Sequence, residues 1–417
     1  MTDEAAGTVH APGLVLTEHE IVVPLDHAQP DGERITVFAR EVADPAGRDR
    51  PFLLFFDGGP GHEAQRPARG PTSPGWLDRA LEDYRVLMLD QRGTGRSSPI
   101  GTMPGLTARQ QAERLTHHRA DAIVADAELL RERLGVDVWS VLGQSFGGFC
   151  ALRYLSAAPG ALREVLLTGG LPPVGRPVDD TYVATYDSML TRSRRYYQRY
   201  PQDRDRVVAL HDRAASGDLV LPGGDRVSST RLRSIGSRMG MSNGEERLHY
   251  LLELDPDSPA ARHDLAAALP FSGRNPLYAV LQEACYADGG RTGWSAERLL
   301  PDEVADDVTL FTGEHLFACH LAEDSELAPL RAAVDLLAQH EWPRLYDVEV
   351  LASVDVPVAA VIYADDPYVP RRFSEETAAM LPGMRPWLTN EYRHDGLDAD
   401  GVRILDRLVS LARGRVG

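Results

Sequence analysis

Residues 138–158 read VWSVLGQSFGGFCALRYLSAA, and within this stretch the character of the sequence changes from strand to helix. Val138 to Leu142 is a short apolar run, which is typical of a buried strand. Residues 147–158 have the composition and spacing of a helix. Gly143 and Gly147 stand on either side of the junction, where small residues permit a tight turn. The stretch therefore predicts a strand, a sharp turn and a helix in immediate succession.

Further strand-like runs occur on both sides of this unit. Most are continuously apolar rather than alternating, and residues 36–40 alternate weakly, which favours an edge strand for that run. The other predicted strands are residues 36–40, 52–56, 85–89, 164–167, 356–363 and 387–391. Predicted helices that accompany these strands are residues 120–134, 372–380 and 399–413. Apolar strands separated by helices predict an α/β fold, with a mostly parallel sheet covered by helices on both faces.

The pattern is different between about residue 172 and residue 350, where no comparable strand run occurs. Predicted helices in this part are residues 182–200, 203–215, 245–254, 259–268, 276–287 and 326–339. We therefore expect an α/β core made of residues 1–171 and 351–417. A helical insertion, residues 172–350, separates the two core segments in the sequence.

The composition excludes several classes of function. The chain has 417 residues, with 44 Lys and Arg against 62 Asp and Glu, so its formal net charge is −18. This charge argues against duplex nucleic acid and anionic membrane surfaces as partners. No apolar run reaches 18 residues, and the N-terminal residues have no signal-peptide pattern. The cysteines, Cys150, Cys285 and Cys319, form no CxxC motif, which favours a reducing cytoplasm and no structural zinc.

The junction at residues 143–147, Gly-Gln-Ser-Phe-Gly, has the GxSxG pattern of a nucleophile elbow. A sharp turn between strand and helix raises the serine hydroxyl above the edge of the sheet. The N-terminus of the following helix directs N–H groups towards a developing oxyanion. The pattern and its context predict Ser145 as a catalytic nucleophile.

A nucleophilic serine needs a base and a carboxylate, which follow in the order Ser, Asp or Glu, His in such folds. The last long predicted strand is followed by Ala364-Asp365-Asp366-Pro367, which offers two carboxylates at the functional edge of the sheet. We favour Asp366 because of its spacing to Pro370, and Asp365 is the alternative. His394 is the only histidine beyond residue 340, and we expect it to be the base.

The oxyanion needs a second backbone donor from an earlier loop. Gly58-Gly59-Pro60-Gly61 directly follows the predicted strand at residues 52–56, and its glycines allow the backbone to approach a substrate. We therefore predict the N–H groups of Gly59 and Phe146 as the oxyanion hole.

Three segments together resemble one family. FDGGPG (56–61), LDQRGTGRSSP (89–99) and GQSFGGFCALRYL (143–155), with the loops of Asp366 and His394, are similar to the proline iminopeptidase (prolyl aminopeptidase) family of the α/β-hydrolases. The resemblance implies a serine peptidase that removes N-terminal proline from small peptides. It also implies a helical cap over the serine, and no metal or organic cofactor.

The chain departs from the commoner HGGPG pattern of this family, because Asp57 stands where many relatives have histidine. The oxyanion donor in this loop is a backbone group, so the departure does not remove it. Arg92, in the DQRG segment, is interpreted as a structural residue that fixes loops near the site. A direct contact with substrate is the alternative for Arg92.

An aminopeptidase has to recognise a cationic amino group, and buried carboxylates are its natural receptor. In the family, acidic side chains of the cap have this role, and the best matches here are Glu283 and Glu314. Phe149 and Tyr286, with Phe146, are expected as apolar walls for the proline ring.

Two other classes of function remain open at this point. The first is an esterase, lactonase or other amide hydrolase, since one fold supports many reactions. The second is a binding protein that retains the hydrolase scaffold without catalysis.

Overall fold

A nine-stranded sheet forms the centre of the computed structural model, which describes residues 7–70 and 74–416. The strands in these residues are β1 (Thr8–Ala11), β2 (Leu14–Pro24), β3 (Arg34–Ala43), β4 (Phe52–Phe56), β5 (Arg85–Asp90), β6 (Trp139–Gln144), β7 (Leu162–Thr168), β8 (Val358–Tyr363) and β9 (Met384–Thr389). Their order across the sheet is β1-β2-β3-β5-β4-β6-β7-β8-β9.

From β5 to β9 across the sheet, every pair of neighbouring strands is parallel. The pairs β1–β2, β2–β3 and β3–β5 are antiparallel. The edge position predicted for residues 36–40 is wrong. Strand β3, which contains these residues, lies between β2 and β5 because the N-terminal hairpin of β1 and β2 extends the sheet.

Helices cover both faces of the sheet, as the apolar strands require. The helices that precede β7 are α1 (Leu77–Asp83), α2 (Ala108–Thr116), α3 (Ala120–Arg133) and α4 (Phe146–Ala157). On one face, α1 packs against the C-terminal helix, where Trp76 and Leu405 belong to the same buried cluster. Helices α2, α3 and α4 cover the other face through Leu115, Leu130 and Leu152.

Residues 169–357, all described by the structure, contribute no strand to the sheet. Their helices are α5 (Val178–Arg199), α6 (Asp203–Ser216), α7 (Ser229–Arg233), α8 (Gly244–Glu253), α9 (Pro259–Ala268), α10 (Pro276–Leu281), α11 (Ser295–Arg298), α12 (Asp302–Asp306), α13 (Ala318–Ala322), α14 (Arg331–Ala338) and α15 (Val348–Ser353). Short 3₁₀ turns occur at Ser234–Gly240, Ala284–Tyr286 and Ala328–Leu330. We call residues 169–357 the inserted helices.

After β8 the chain returns to the sheet with α16 (Arg371–Ala379), β9, α17 (Gly396–Ala399) and α18 (Gly401–Ala412). Because β4, β6, β8 and β9 are parallel, their carboxyl ends lie along one edge of the sheet. The loops carrying residues 57–61, Ser145, Asp366 and His394 follow these four ends. None of the described helices combines the length and the apolar character needed to cross a lipid bilayer.

Candidate active site

Three side chains from separate loops form a continuous hydrogen-bonded chain at this edge. His394 Nε2 lies 2.8 Å from Ser145 Oγ, and His394 Nδ1 lies 2.6 Å from Asp366 Oδ2. The other oxygen of Asp366 accepts the backbone N–H groups of Tyr368 at 2.9 Å and Val369 at 3.1 Å. The carboxylate is thereby fixed by its own loop, and the imidazole is oriented between acid and hydroxyl.

Backbone strain and close packing hold Ser145 at the turn. Its φ of 53° and ψ of −121° lie outside the common regions for a residue with a side chain. The Ser145 N–H donates to the carbonyl of Thr168, at the end of β7, at 2.9 Å. A Cβ on Gly147 would lie 2.0 Å from the Phe56 carbonyl oxygen, and one on Gly143 would lie 2.5 Å from the Gly147 oxygen. The elbow therefore requires the glycines that the motif supplies.

The two adjacent aspartates after β8 have different surroundings. Asp366 is buried and hydrogen-bonded to His394. Asp365 is partly exposed, and its carboxylate lies 3.4 Å from Arg393 and 3.7 Å from Arg195. Of the two carboxylates proposed from the sequence, the structure brings that of Asp366 to the histidine.

The electrostatic environment of His394 favours the protonated imidazole. Burial alone lowers the pKa of His394, but the charge and hydrogen bond of Asp366 outweigh it. The Glu314 carboxylate acts in the same direction, and the pKa of His394 is above its usual value. These surroundings stabilise the protonated form of the imidazole, as the predicted role of His394 as a base requires.

The loop at residues 57–61 packs directly against the elbow. A Cβ on Gly58 would lie 3.3 Å from the Ser145 Cβ. Gly59, the next residue, has a φ of 130°, which glycine adopts readily. Phe146 is the first residue of α4, where backbone N–H groups have no intrahelical partner. Of the two proposed oxyanion donors, Phe146 directly follows Ser145, and Gly59 belongs to the loop that packs against the elbow.

Aromatic side chains connect the elbow to the inserted helices. The ring centroids of Phe146 and Phe149 are 6.1 Å apart, and those of Phe149 and Tyr286 are 5.5 Å apart. The Tyr286 hydroxyl donates to the Tyr368 carbonyl at 3.1 Å. The three aromatic residues proposed as pocket walls therefore pack in one buried row that begins at the residue after Ser145.

Glu314 lines a cavity of about 10 Å³ together with Gln282, Tyr286 and Tyr182. The Tyr278 hydroxyl donates to one oxygen of the Glu314 carboxylate, and Gln282 Nε2 lies 3.4 Å from the other. Burial raises the pKa of Glu314, which the Tyr278 hydrogen bond and the charge of His394 partly offset. Glu314 therefore lines a cavity that also touches the loop after Asp366, and its charge acts on His394.

Glu283 has a different position from Glu314. Its carboxylate accepts the N–H of Ala296 at 2.9 Å, and it is not among the residues that line the Glu314 cavity. Burial raises the pKa of Glu283, while hydrogen bonds from Ala296, Thr292 and Ser295 act against this effect. The structure thus places Glu283 outside the lining of this cavity, where it holds the backbone at the start of α11.

Comparison with known proteins shows the family. The chain is 43% identical to a proline iminopeptidase of Aeromonas sobria, over 96% of this chain and 97% of that protein. The chain belongs to the proline iminopeptidase family. A second family member, the proline iminopeptidase of Aspergillus aculeatus, is 31% identical over 97% of this chain and 95% of that protein.

The family assignment agrees with the fold. The sequence profile described as "alpha/beta hydrolase fold" matches residues 51–220. The chain is also similar to a solved structure, the 2-hydroxy-6-oxo-6-phenylhexa-2,4-dienoate hydrolase of Rhodococcus sp. strain RHA1. The similarity covers 95% of this chain and 99% of that chain, with 13% sequence identity and a TM-score of 0.46. The predicted α/β-hydrolase fold and the predicted resemblance to the proline iminopeptidase family are confirmed, and the protein is an enzyme.

Arg92, in the DQRG segment of this family member, is hydrogen-bonded to groups of the first core segment. It is 1% exposed, and its guanidinium binds both oxygens of Asp126 at 2.6 Å. It also donates to the carbonyls of Leu25 and His117, each at 2.7 Å, and of Pro24 at 3.0 Å. These bonds support the structural interpretation of Arg92.

Asp57, which replaces the histidine of the commoner family pattern, is buried at the start of the loop at residues 57–61. Its carboxylate accepts the Gly58 N–H at 2.8 Å, and its carbonyl accepts Gln91 Nε2 at 2.9 Å. Burial raises the pKa of Asp57 to about 7, and the nearby Asp398 and Glu63 carboxylates add to the effect. A carboxyl group that is largely neutral below pH 7 thus stabilises this loop.

Sequence reasoning missed several residues around the site of this family member. Tyr368, Gln282 and Tyr278 contact Asp366 or Glu314 but were not predicted. Tyr368 stands two residues after Asp366, and a search of the whole acid loop would have included it.

Within the described chain, no group of three or more His, Cys, Asp or Glu side chains is arranged to hold a metal ion.

Proposed function

We propose that this enzyme is a serine aminopeptidase that releases N-terminal proline from small peptides. The observation that carries the proposal is the Ser145–His394–Asp366 chain at a strained elbow, in a member of the proline iminopeptidase family. No metal or organic cofactor has a part in the proposed reaction.

In the proposed mechanism, Ser145 Oγ attacks the carbonyl carbon of the first residue while His394 Nε2 takes its proton. The N–H groups of Gly59 and Phe146 stabilise the oxyanion. The C–N bond then breaks, and His394 returns the proton to the leaving amine. Water, activated by the same imidazole, hydrolyses the prolyl ester, and Asp366 stabilises the imidazolium in both halves.

The substrate amino group is proposed to bind at the Glu314 carboxylate. Gln282 Oε1 and Tyr182 Oη, both buried, have no hydrogen-bond partner within the described part of the chain, and both residues line the same cavity. Buried acceptors without partners favour a ligand that brings donors, and an ammonium does so. Glu283 supplies a second negative charge behind this site.

The apolar part of the first residue is proposed to lie against Phe149 and Tyr286. The cavity at Glu314 holds about one water molecule, so binding of a proline ring requires the surrounding side chains to move apart.

We propose that residues 172–350 act as the cap over this site, between core segments 1–171 and 351–417.

The proposal is tested with prolyl-β-naphthylamide, N-acetylprolyl-β-naphthylamide and p-nitrophenyl acetate. We expect the wild type to cleave the first and not the second, and Ser145→Ala to lose about 10⁴-fold or more of kcat. Glu314→Gln should lower kcat/KM for the prolyl substrate about 10- to 100-fold and retain ester hydrolysis. Glu283→Gln is the matched control, with a smaller expected loss.

The outcomes separate the alternatives. Equal cleavage of the blocked and free prolyl substrates would contradict amine recognition and favour the esterase or general amidase alternative. Full activity of Ser145→Ala would remove the triad. Loss of ester hydrolysis in Glu314→Gln would show that this residue affects the triad rather than the amine.

A further inference from the structure

One segment of the inserted helices contacts the loop that carries the proposed base. The Gly240 carbonyl accepts the backbone N–H of His394 at 3.0 Å. Ser242 donates to Asp395 Oδ1 through both its hydroxyl, at 2.6 Å, and its backbone N–H, at 2.9 Å. We call residues 237–242 the strap. Its bonds fix the backbone at His394 and the side chain of the following residue, Asp395.

The strap also reaches the loop of the proposed acid, through Tyr368. The Tyr368 hydroxyl donates to the Ser237 carbonyl, and the Tyr368 N–H donates to Asp366 Oδ1 at 2.9 Å. The Tyr368 ring lies edge-on to the His394 ring, with centroids 4.9 Å apart and an angle of 88°. One tyrosine therefore joins the strap, the acid and the base.

Close packing leaves the strap little freedom beside this tyrosine. A Cβ on Gly240 would lie 2.1 Å from the Cζ and Oη atoms of Tyr368. That distance is shorter than any real contact, so a side chain there would displace the strap or the ring. Glycine is the residue that allows the Gly240 carbonyl to approach the histidine loop.

Arg192 of α5 fixes the strap from its other side. Its guanidinium donates to the Met239 carbonyl at 3.1 Å and also to the Asp365 carbonyl, next to the triad acid. Arg192 is 6% exposed, and charge-assisted bonds of a buried guanidinium have restricted geometry. A helix of the insertion and the acid loop are therefore joined through the strap.

We propose that the strap positions His394 for proton transfer, so that catalysis depends on the seating of the inserted helices against the core. The proposal rests on the triad of the proposed function. The strap residues do not touch the reacting atoms, and they are positioning residues. A displacement of about 1 Å in a catalytic group lowers the rate on the order of 100-fold, so small changes in the strap have measurable effects.

The test compares Ser242→Ala, Ser242→Thr and Gly240→Ala with a matched control, Ser325→Ala. Ser325 also donates its hydroxyl and N–H to one carboxylate oxygen, that of Asp225, both at 3.2 Å, and it lies within the inserted helices. Ser242 and Ser325 are both exposed, so their alanine variants should keep the wild-type melting temperature.

The readout is the second-order rate of Ser145 labelling by a fluorophosphonate, together with kcat and KM for p-nitrophenyl acetate. Neither reagent has an amino group, so the strap is tested even if the enzyme proves not to release proline. We expect labelling and kcat to fall about 3- to 10-fold in Ser242→Ala, with unchanged KM and with rescue by Ser242→Thr. We expect a fall on the order of 100-fold in Gly240→Ala.

A second readout follows the histidine itself. The far-downfield proton resonance of the His394 Nδ1–H···Asp366 bond should shift or broaden in Ser242→Ala and stay unchanged in Ser325→Ala. Wild-type labelling in Ser242→Ala, or an equal loss in Ser325→Ala, would overturn the proposal. If Gly240→Ala does not fold, the Ser242 pair decides.

Discussion

Asp365 and Asp366 are neighbours in the chain, but their carboxylates have separate partners, which gives a direct test of the proposed acid. Asp366→Asn removes the charge that orients His394 and stabilises the imidazolium. We expect kcat to fall by about 10⁴-fold, because an amide there favours the wrong imidazole tautomer. The loss of the carboxylate also lowers the pKa of His394, so the acid limb of residual activity should move to lower pH.

Asp365→Asn is the control for this experiment. It removes only partly exposed ion pairs with Arg393 and Arg195, and such pairs contribute about 0–1 kcal/mol. Its kcat should stay within about fivefold of the wild type, by the same estimate. Steady-state kinetics from pH 5 to pH 9 measure both variants. A greater loss in Asp365→Asn than in Asp366→Asn would contradict the assignment.

Asp57 makes the stability of the enzyme depend on pH. Its carboxyl has an ordinary pKa of 3.8 when exposed and a pKa of about 7 when folded. Between these values the folded state binds the proton and the unfolded state does not, so the free energy of unfolding falls as the pH rises. Asp57→Asn keeps an oxygen that can accept the Gly58 N–H but cannot ionise. We expect it to be more stable than the wild type by roughly 2–4 kcal/mol at pH 8.

The difference in melting temperature between Asp57→Asn and the wild type should be small at pH 4 and increase up to about pH 7. Differential scanning calorimetry over this range measures it. Asp31→Asn, at an exposed site, is the control and should follow the wild type at every pH. A pH-independent difference for Asp57→Asn would show that its carboxyl does not titrate in this way.

Residue types and chain order predicted much of the candidate site, because Ser145 and His394 each follow a strand end that the sequence shows. The roles of Glu283 and Glu314 could not be distinguished in this way. Both glutamates stand in apolar surroundings in the sequence, and what separates them is the Ala296 N–H at one and the Tyr278 hydroxyl at the other. Those contacts depend on how the inserted helices pack, which local sequence does not reveal.

At the scale of elements, the turn between β6 and α4 depends on contacts with β4. Gly147→Ala would place a methyl group 2.0 Å from the Phe56 carbonyl oxygen, which is backbone and cannot move alone. We expect a destabilisation of about 3 kcal/mol or more and a loss of activity, because the displaced backbone leads into the oxyanion loop.

Gly160→Ala is the matched control for Gly147→Ala. A Cβ at Gly160 meets nothing within 4 Å, and the substitution should leave the melting temperature unchanged or raise it slightly. Thermal unfolding and fluorophosphonate labelling measure both variants. A stable and active Gly147→Ala enzyme would contradict the packing seen at the elbow.

The elements predicted best are the strands that are buried on both faces, such as β4 and β6, because an apolar run is unambiguous. The hairpin of β1 and β2 was missed. Strand β2 is buried at its ends and only partly buried in the middle, where LTEHE has no apolar run. The weak alternation of residues 36–40 predicted an edge strand, but this hairpin pairs with β3 and covers that edge. The helix predicted at residues 276–287 is instead α10 followed by a 3₁₀ turn.

At the scale of the whole molecule, the inserted helices and the core share one buried cluster. Phe56 and Phe149 of the core belong to the same cluster as Tyr186, Tyr286 and Trp342 of the insertion. A second cluster, which includes Met189 and Phe311, lies within the insertion itself. The split in the sequence is therefore not a split in packing, and we expect core and insertion to unfold together.

Arg119 tests this expectation, because it joins α3 of the core to the insertion. It is 1% exposed, donates to the carbonyls of Ala287 at 2.8 Å and Pro343 at 3.0 Å, and lies over the Trp342 ring. Arg119→Met leaves buried carbonyls without partners, so we expect a loss of roughly 2–4 kcal/mol. In Arg119→Met, the far-UV circular dichroism signal and ester hydrolysis should be lost at the same temperature, which is lower than in the wild type. The control Arg291→Met removes an exposed ion pair and should leave this temperature unchanged. Activity lost well below the helical transition would show that the two parts separate before they unfold.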